Sequence, residues 1–208
     1  MAEDAATTRL YLITPPAFTP DLPDRLAALL DATDIACVRL ALATAVEDDV
    51  ARAADALRAV AHERDVPLVV ADHYRLVSRL GLDGVHLGDG ARQVRAVRKA
   101  LGPDAIVGAY AHASRHDGLT AGEIGADYVA FGPVGASALG DGSTAPLDLF
   151  QWWAEMIEVP VVAEGGLTLD LARELAGKAD FIALGSELWD GPEGPDRTLA
   201  RYVARLGR

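Results

Sequence analysis

The chain has 208 residues, half of them apolar, and a formal net charge of -12 at pH 7. That length allows one domain with a sizeable core, and the acidic charge argues against a protein that binds nucleic acid or an anionic membrane surface. Because Cys37 is the only cysteine, a disulfide framework and a cysteine-rich metal site are excluded.

The N-terminal residues predict a short disordered lead over 1–8, followed by a single domain over 9–208. The lead is acidic and lacks the apolar segment of a signal peptide. No apolar run approaches the length needed to span a bilayer. We therefore expect a cytoplasmic protein.

From residue 9 onwards, eight short apolar runs alternate with helical patterns. Strands are predicted at 9–14, 35–42, 66–71, 84–87, 105–110, 128–131, 161–163 and 181–184. Helices are predicted at 21–31, 48–63, 74–80, 92–101, 119–124, 146–157 and 196–206, with one more, capped by Thr168, between the last two strands. The runs are almost entirely apolar, as expected for parallel strands buried on both faces.

Eight strand–helix units in one domain predict an α/β protein with the (β/α)8 barrel fold. An open doubly wound sheet is the competing architecture. It is disfavoured because Pro15 and Pro16 follow the first strand, where a glycine-rich dinucleotide-binding turn would be expected.

The last two strands each end in small residues followed by a helical segment. Gly165 and Gly166 follow strand seven, and Gly185 and Ser186 follow strand eight. Backbone amides at such positions can bind an anion without a basic side chain, and this edge of a barrel is the usual location of phosphate sites. We expect these four residues to bind a phosphorylated small molecule, although glycines at strand ends also serve simply to turn the chain.

Other polar residues at strand ends are candidates for chemistry, because the active site of a barrel lies at the carboxyl ends of its strands. His112 is a candidate general acid or base. Arg39 interrupts an apolar strand, so it should face a ligand or pair with an internal acid. Glu164 either faces away from the phosphate or acts as a proton-transfer group. Asp72 and Asp89 could share a Mg2+ across neighbouring strands, whereas His86 is interpreted as a hydrogen-bonded residue of the barrel interior.

The segment 132–145 follows strand six and is long and rich in glycine and serine. Loops of this length are usually functional or disordered. We interpret it as a mobile lid over the mouth of the barrel, with plain flexibility as the alternative.

The ordered series of motifs in the chain resembles the thiamine phosphate synthase superfamily, which also contains the TenI-type thiazole tautomerases. The likeness runs from about residue 10 to residue 189. It rests on LYLIT (10–14), VAD (70–72), GVHLG (84–88), IVG (106–108) with His112, GADYVAFGPV (125–134) and VVAEGG (161–166).

The resemblance implies a synthase that joins a pyrimidine methyl pyrophosphate to a thiazole phosphate with release of pyrophosphate. By position, Arg39 would face the pyrophosphate and Asp72 would bind Mg2+, the implied cofactor. The four glycine and serine residues after strands seven and eight would bind the thiazole phosphate. The implied binding partner is a phosphorylated small molecule. The resemblance leaves open whether the chain forms a homo-oligomer.

Five positions and one segment differ from the family pattern. The threonine–threonine–lysine segment of the long loop is absent, because residues 137–140 contain no lysine. Ala41 replaces a lysine, Ala71 an asparagine and Tyr110 a serine, while Asp89 is displaced from the position of the second Mg2+-binding aspartate. Glu164 stands where the family usually has an apolar residue. All but the last of these differences fall on the pyrophosphate and metal side of the expected site.

Two alternatives to the synthase therefore stay open. A TenI-like tautomerase needs neither pyrophosphate nor metal, and His112 and Glu164 could supply its acid–base chemistry. A non-catalytic binder of thiazole or thiamine phosphates would need only the phosphate site.

Overall fold

The computed structural model describes residues 8–136 and 142–207. Its strands are β1 (Arg9–Ile13), β2 (Ile35–Leu40), β3 (Leu68–Ala71), β4 (Gly84–Leu87), β5 (Ile106–Tyr110), β6 (Tyr128–Phe131), β7 (Val161–Glu164) and β8 (Phe181–Leu184). Its helices are α1 (Leu22–Ala32), α2 (Glu47–His62), α3 (Tyr74–Leu80), α4 (Val94–Leu101), α5 (Arg115–Glu123), α6 (Leu147–Met156), α7 (Leu169–Leu175), α8 (Ser186–Trp189) and α9 (Pro195–Arg205).

The eight strands close into a parallel barrel in chain order. Each strand pairs with the next, and β1 closes the barrel by pairing with β8, with Leu10 opposite Ile182. The predicted (β/α)8 barrel is therefore confirmed. Among the described residues, no helix combines the length and apolar character needed to cross a membrane.

Parts of two predicted segments, residues 1–7 of the N-terminal lead and 137–141 of the expected lid, lie outside the described residues. Thr8, the last residue of the predicted lead, is buried. Its hydroxyl donates to the Ala179 carbonyl at 2.7 Å and accepts from the Gly177 amide at 2.9 Å. The chain is thus fixed to the barrel one residue before β1 begins.

One helix begins four residues before the predicted start, and one expected capping hydrogen bond is not made. α5 begins at Arg115 rather than at residue 119, because Ser114 caps it by accepting a hydrogen bond from the Asp117 amide. Asp21 lies at the N-cap of α1 as expected, but its side chain makes no capping hydrogen bond. The predicted cap at Thr168 is confirmed, since its hydroxyl accepts from the Leu171 amide at 3.2 Å.

Aspartates that precede three even-numbered strands fasten the N-terminal end of the barrel. Asp83, Asp127 and Asp180 come directly before β4, β6 and β8. Each accepts, at 2.7 Å, a hydrogen bond from an amide in the preceding strand; the three donors are Leu68, Val107 and Val161. The same local device thus recurs along the chain and satisfies amides that the ends of the strands would otherwise leave unpaired.

A hydrogen-bonded chain of three polar side chains lies inside the barrel. The Tyr128 hydroxyl is 3.0 Å from the Tyr11 hydroxyl and 2.9 Å from Nδ1 of His86. The ring of Tyr128 lies so close to Gly108 that a Cβ there would be 2.0 Å from it. Burial, reinforced by the positive charge of Arg39, lowers the pKa of His86 well below its usual 6.5. The imidazole is therefore neutral in the folded protein at neutral pH.

Replacing Asp180 with alanine should lower the free energy of unfolding by about 1–3 kcal/mol, because it leaves the buried amide of Val161 without an acceptor. Chemical denaturation measures this difference. Asp190→Ala, at an exposed position, is the control and should be near neutral. Equal midpoints for wild type and Asp180→Ala would contradict the stabilising role of the aspartate.

The neutral state of His86 should make the fold less stable as the pH falls below 6.5. The unfolded chain takes up a proton there that the folded chain does not, so the free energy of unfolding falls by up to roughly 1.4 kcal/mol per pH unit. Denaturation between pH 8 and pH 5 measures the slope. His86→Asn should flatten it, and His116→Asn, at an exposed position, should not. Identical slopes in the two variants would refute this assignment.

Candidate functional site

The sequence-predicted site residues all lie at or just beyond the carboxyl ends of their strands, at one end of the barrel, which we call the mouth. Arg39 is in β2 and Glu164 ends β7. The others follow strands: Asp72 after β3, Asp89 after β4, His112 after β5, Gly165 and Gly166 after β7, and Gly185 and Ser186 after β8. The barrel topology therefore gathers residues that are far apart in sequence.

A buried ion pair crosses the barrel at the mouth. Nη2 of Arg39 is 2.9 Å from Oε2 of Glu164, and the two side chains are 8% and 14% exposed. β1 and β8 separate their strands in the sheet, so the pair spans the interior. Burial opposes the charge on Arg39, but Glu164 and neighbouring tyrosines raise the pKa of the guanidinium above its usual value. The sequence analysis left the direction of Glu164 open, and the structure turns it towards Arg39.

The Arg39–Glu164 contact is an ion pair that leaves polar atoms of both side chains without a hydrogen bond; Oε2 of Glu164 is buried and has no hydrogen-bond partner in the described part of the chain. Nε of Arg39 is buried and has no hydrogen-bond partner among the residues described. The guanidinium carbon lies 5.8 Å from the ring centroid of Tyr11, which contributes a favourable cation–π contact. Arg39 is thus held in place and still has an N–H with which it can bind a ligand.

Tyr110 and His112 form an aromatic pair at the end of β5. Their ring centroids are 4.5 Å apart. Burial, followed by the negative charge of Glu164, raises the pKa of Tyr110 to about 12, so its phenol stays protonated. Within the described part of the chain, no hydrogen bond or ion pair joins His112 to Glu164, and the two predicted acid–base residues therefore do not form a coupled pair.

The backbone is strained at two of the predicted site residues. Asp72 has φ of 58° and His112 has φ of 52°, in the left-handed region that non-glycine residues seldom adopt. Such conformations cost about 1–3 kcal/mol and tend to cluster at functional sites. Asp65, in the turn before β3, shares the conformation, so the strain supports a functional role only together with the position at the mouth.

The two predicted metal ligands are already partly engaged by the protein. Oδ1 of Asp72 accepts from the Gly88 amide at 2.8 Å, and Oδ2 of Asp89 accepts from the Gln93 side chain at 2.9 Å. Oδ1 of Asp89 is buried without a hydrogen-bond partner in the described residues. Over 8–136 and 142–207, no group of three or more His, Cys, Asp or Glu residues is arranged to hold a metal. A metal here would need most of its ligands from substrate and water.

The glycines after β7 are required by close packing. Gly165 and Gly166 both have positive φ, and a Cβ on Gly166 would lie 2.6 Å from the Ala136 carbonyl oxygen. The Gly165 carbonyl accepts from the amides of Val134 and Gly135 at 2.9 and 3.1 Å. The turn after β7 is therefore packed against the loop that follows β6.

Glu187, which the sequence analysis did not single out, occupies two amides beside the predicted phosphate site. Its Oε1 accepts from the Leu167 amide and its Oε2 from the Gly185 amide, both at 3.0 Å. The sequence signal was present, because an acid directly follows Gly185 and Ser186. Its side-chain direction, however, depends on how β7 and β8 are paired, which the local sequence does not show.

The chain matches the family described as thiamine monophosphate synthase over residues 10–188. It is 45% identical over 199 residues to a thiamine-phosphate synthase of Rhodospirillum centenum, covering 93% of this chain and 95% of that protein. A thiamine-phosphate synthase of Erythrobacter litoralis is 40% identical over 200 residues, with 93% of each chain covered.

The fold is also similar to that of a solved structure whose name refers to thiamine phosphate. A thiamine phosphate pyrophosphorylase from Pyrococcus furiosus superposes with a TM-score of 0.83 at 25% identity, covering 98% of this chain and 97% of that one. The resemblance in the motifs, the match over most of the chain and the shared barrel agree with one another. The chain therefore belongs to the thiamine monophosphate synthase family.

Proposed function

We propose that this chain is a thiamine-phosphate synthase, an enzyme that joins a pyrimidine methyl pyrophosphate to a thiazole phosphate. The observation that carries the proposal is identity of 45% to a protein of that name over nearly the whole of both chains. In this reaction the C–O bond to pyrophosphate breaks and the leaving group takes the electron pair. The thiazole nitrogen then forms a C–N bond to the cationic methylene carbon, and no proton is transferred.

Arg39 is the residue that we assign to the departing pyrophosphate. Its guanidinium is fixed by Glu164 and by Tyr11 at the mouth, and its Nε lacks an acceptor in the described residues. A donor that is oriented in advance stabilises charge as it develops on the leaving group, because no reorganisation is needed during the reaction. Tyr110, which stays protonated, can donate a second hydrogen bond from β5, which β3 and β4 separate from the strand of Arg39.

The thiazole phosphate is assigned to the turns after β7 and β8. Gly165 and Gly166 form a turn with positive φ at the end of β7, and Gly185 precedes the short helix α8, which begins at Ser186. This location is the one in which barrels of this kind commonly bind phosphate. The pyrophosphate and thiazole phosphate would then lie on different sides of the mouth, with the reacting carbon between them.

Mg2+ is included in the proposal as the cofactor that would accompany the pyrophosphate. Asp72 and Asp89 offer the hard oxygen donors that Mg2+ prefers, and one oxygen of Asp89 is buried without a partner in the described part of the chain. With only these two carboxylates, the ion would depend on substrate oxygens and water for the rest of its coordination. When bound, it would supply positive charge that offsets the charge of the leaving group.

Thiazole tautomerisation is the second candidate, favoured by one observation. Glu164 places a largely buried carboxylate at the mouth, 2.9 Å from the guanidinium of Arg39. A carboxylate held in this way could act as a base on a bound thiazole. The family match supports the synthase first, and Glu164 is the residue at which the two functions give opposite predictions.

The synthase activity is tested by incubating the purified chain with both substrates and measuring pyrophosphate release with and without Mg2+. Release that depends on the thiazole phosphate and on Mg2+ is expected. Absence of release under both conditions, from protein that is folded by circular dichroism, would overturn the proposal.

Arg39→Ala should lower kcat/KM for the pyrimidine pyrophosphate by roughly 100- to 1000-fold, the usual effect of removing one donor that stabilises the transition state. Because the variant leaves Glu164 buried without its partner, the double variant Arg39→Met/Glu164→Leu serves as a folding control. It should regain thermal stability without regaining activity. Arg52→Ala, at an exposed position, should retain full activity. Full activity in Arg39→Ala would contradict the assignment.

Glu164→Gln separates the two candidate functions. If the chain is a synthase, the variant removes the charge that competes for Arg39, and KM for the pyrimidine pyrophosphate should fall by several fold. If it is a tautomerase, the variant should lose metal-independent isomerisation of the thiazole phosphate. Steady-state kinetics of both reactions on the same preparation measure the difference. A higher KM together with intact isomerisation would contradict both assignments of Glu164.

A further inference from the structure

Charge is distributed unevenly around the mouth of the barrel. Of the nine helices that the structure describes, α3 and α4 have no acid in the first turn. The other seven carry at least one, in the place that suits the helix dipole: Asp24, Glu47, Asp117, Asp148, Asp170, Glu187 and Asp196. Since the helices of a (β/α)8 barrel begin at the mouth, the rim is acidic except after β3 and β4.

Arginines occupy this part of the rim instead. Arg75 is the second residue of α3, and Arg92 lies two residues before α4 begins. Each follows a strand-end aspartate by three residues, Asp72 after β3 and Asp89 after β4. β3 and β4 are paired, and the Gly88 amide after β4 donates to Asp72 at 2.8 Å. The same Asp-x-x-Arg order is therefore repeated at two adjacent strand ends.

The fold does not use the charge of either arginine. Arg75 and Arg92 are exposed, and within the described residues neither forms a salt bridge. Glu47, whose charge acts on Arg75, is paired with Arg79 at 2.9 Å instead. The Arg75 guanidinium lies 5.9 Å from the ring centroid of Tyr74. A cation in the first turn is opposed by the helix dipole, so stability of the fold does not explain Arg75.

Buried polar atoms without partners point to a ligand beside these arginines. Arg39 lies in β2, which pairs with β3, and it is 6% exposed. Its Nε and the Oδ1 atom of Asp89 are both buried without a hydrogen-bond partner in the described part of the chain. Such atoms are costly unless a ligand or water completes them. The orphaned atoms and the two unpaired arginines share the ends of β2, β3 and β4.

We infer that the side chains of Arg75 and Arg92 bind the pyrophosphate group of the substrate and orient it towards β3 and β4. The inference rests on the proposed function for the identity of the substrate. A pyrophosphate ester is strongly anionic at neutral pH, so the first-turn acids of the other helices repel it from the rest of the rim. The two arginines also supply positive charge near the end of β2, where Ala41 stands in place of the lysine usual in the family.

The test is isothermal titration with inorganic pyrophosphate in the presence of Mg2+. Arg75→Ala and Arg92→Ala should each weaken the dissociation constant by about threefold to tenfold, the range for a charged contact at an exposed site. Arg75→Lys keeps the charge and should retain most of the affinity. Arg173→Ala makes the same change of net charge at an exposed position in the last turn of α7, so it should match wild type.

Steady-state kinetics separate substrate binding from a structural role. The double variant Arg75→Ala/Arg92→Ala should raise KM for the pyrimidine pyrophosphate and leave KM for the thiazole phosphate unchanged. An equal rise in both KM values overturns the inference.

Three titration results also overturn it: no pyrophosphate binding by wild type, affinities of both alanine variants within about twofold of wild type, or an equal loss in Arg173→Ala. Pyrophosphate affinity is measured without turnover. Weaker binding in the alanine variants, together with no pyrophosphate release by wild type, therefore counts against the proposed synthase and not against the role of the two arginines.

Discussion

The pairing of Arg39 with Glu164 is the constraint on which the mouth of the barrel depends. Two charges in a barrel interior are stable only when each compensates the other, because an isolated buried charge is very costly. Breaking such a pair typically costs about 3–5 kcal/mol, although an apolar pair of similar volume can be as stable. The pair is therefore better explained by the guanidinium group that it orients than by the stability that it adds. It orients a guanidinium across the mouth and leaves one N–H of that group without a partner in the residues described.

The fold was predictable because its signals are local and repeated. Apolar runs, terminal glycines and the cap at Thr168 each specify a short stretch of backbone, and eight such units leave few architectures other than a closed barrel. The site was predictable only in its location. Position at a strand end placed Arg39 and His112 correctly at the mouth, but the partner of each side chain depends on register and on strands distant in sequence. The direction of Glu164 and the role of Glu187 follow from such contacts, and no local pattern encodes them.

The interior below the mouth explains why some of the barrel residues have little freedom to change. His86, Tyr128 and Tyr11 are joined by hydrogen bonds. The ring of Tyr128 in this chain fills the space that a side chain at Gly108 would need. Burial and, after it, the positive charge of Arg39 lower the pKa of His86, so the neutral imidazole and the charged guanidinium are part of one electrostatic arrangement. A change at any of these positions would alter the charge environment at the mouth even where it does not touch a substrate.

The aspartates before β4, β6 and β8 affect which substitutions the protein can tolerate during evolution. They close the end of the barrel that lies opposite the mouth, with contacts that involve none of the proposed site residues. The residues that stabilise the barrel and the residues of the proposed site therefore lie at opposite ends of the molecule. Residues at the mouth, such as Ala41, Ala71 and Tyr110, can therefore be exchanged while the framework at the other end stays intact.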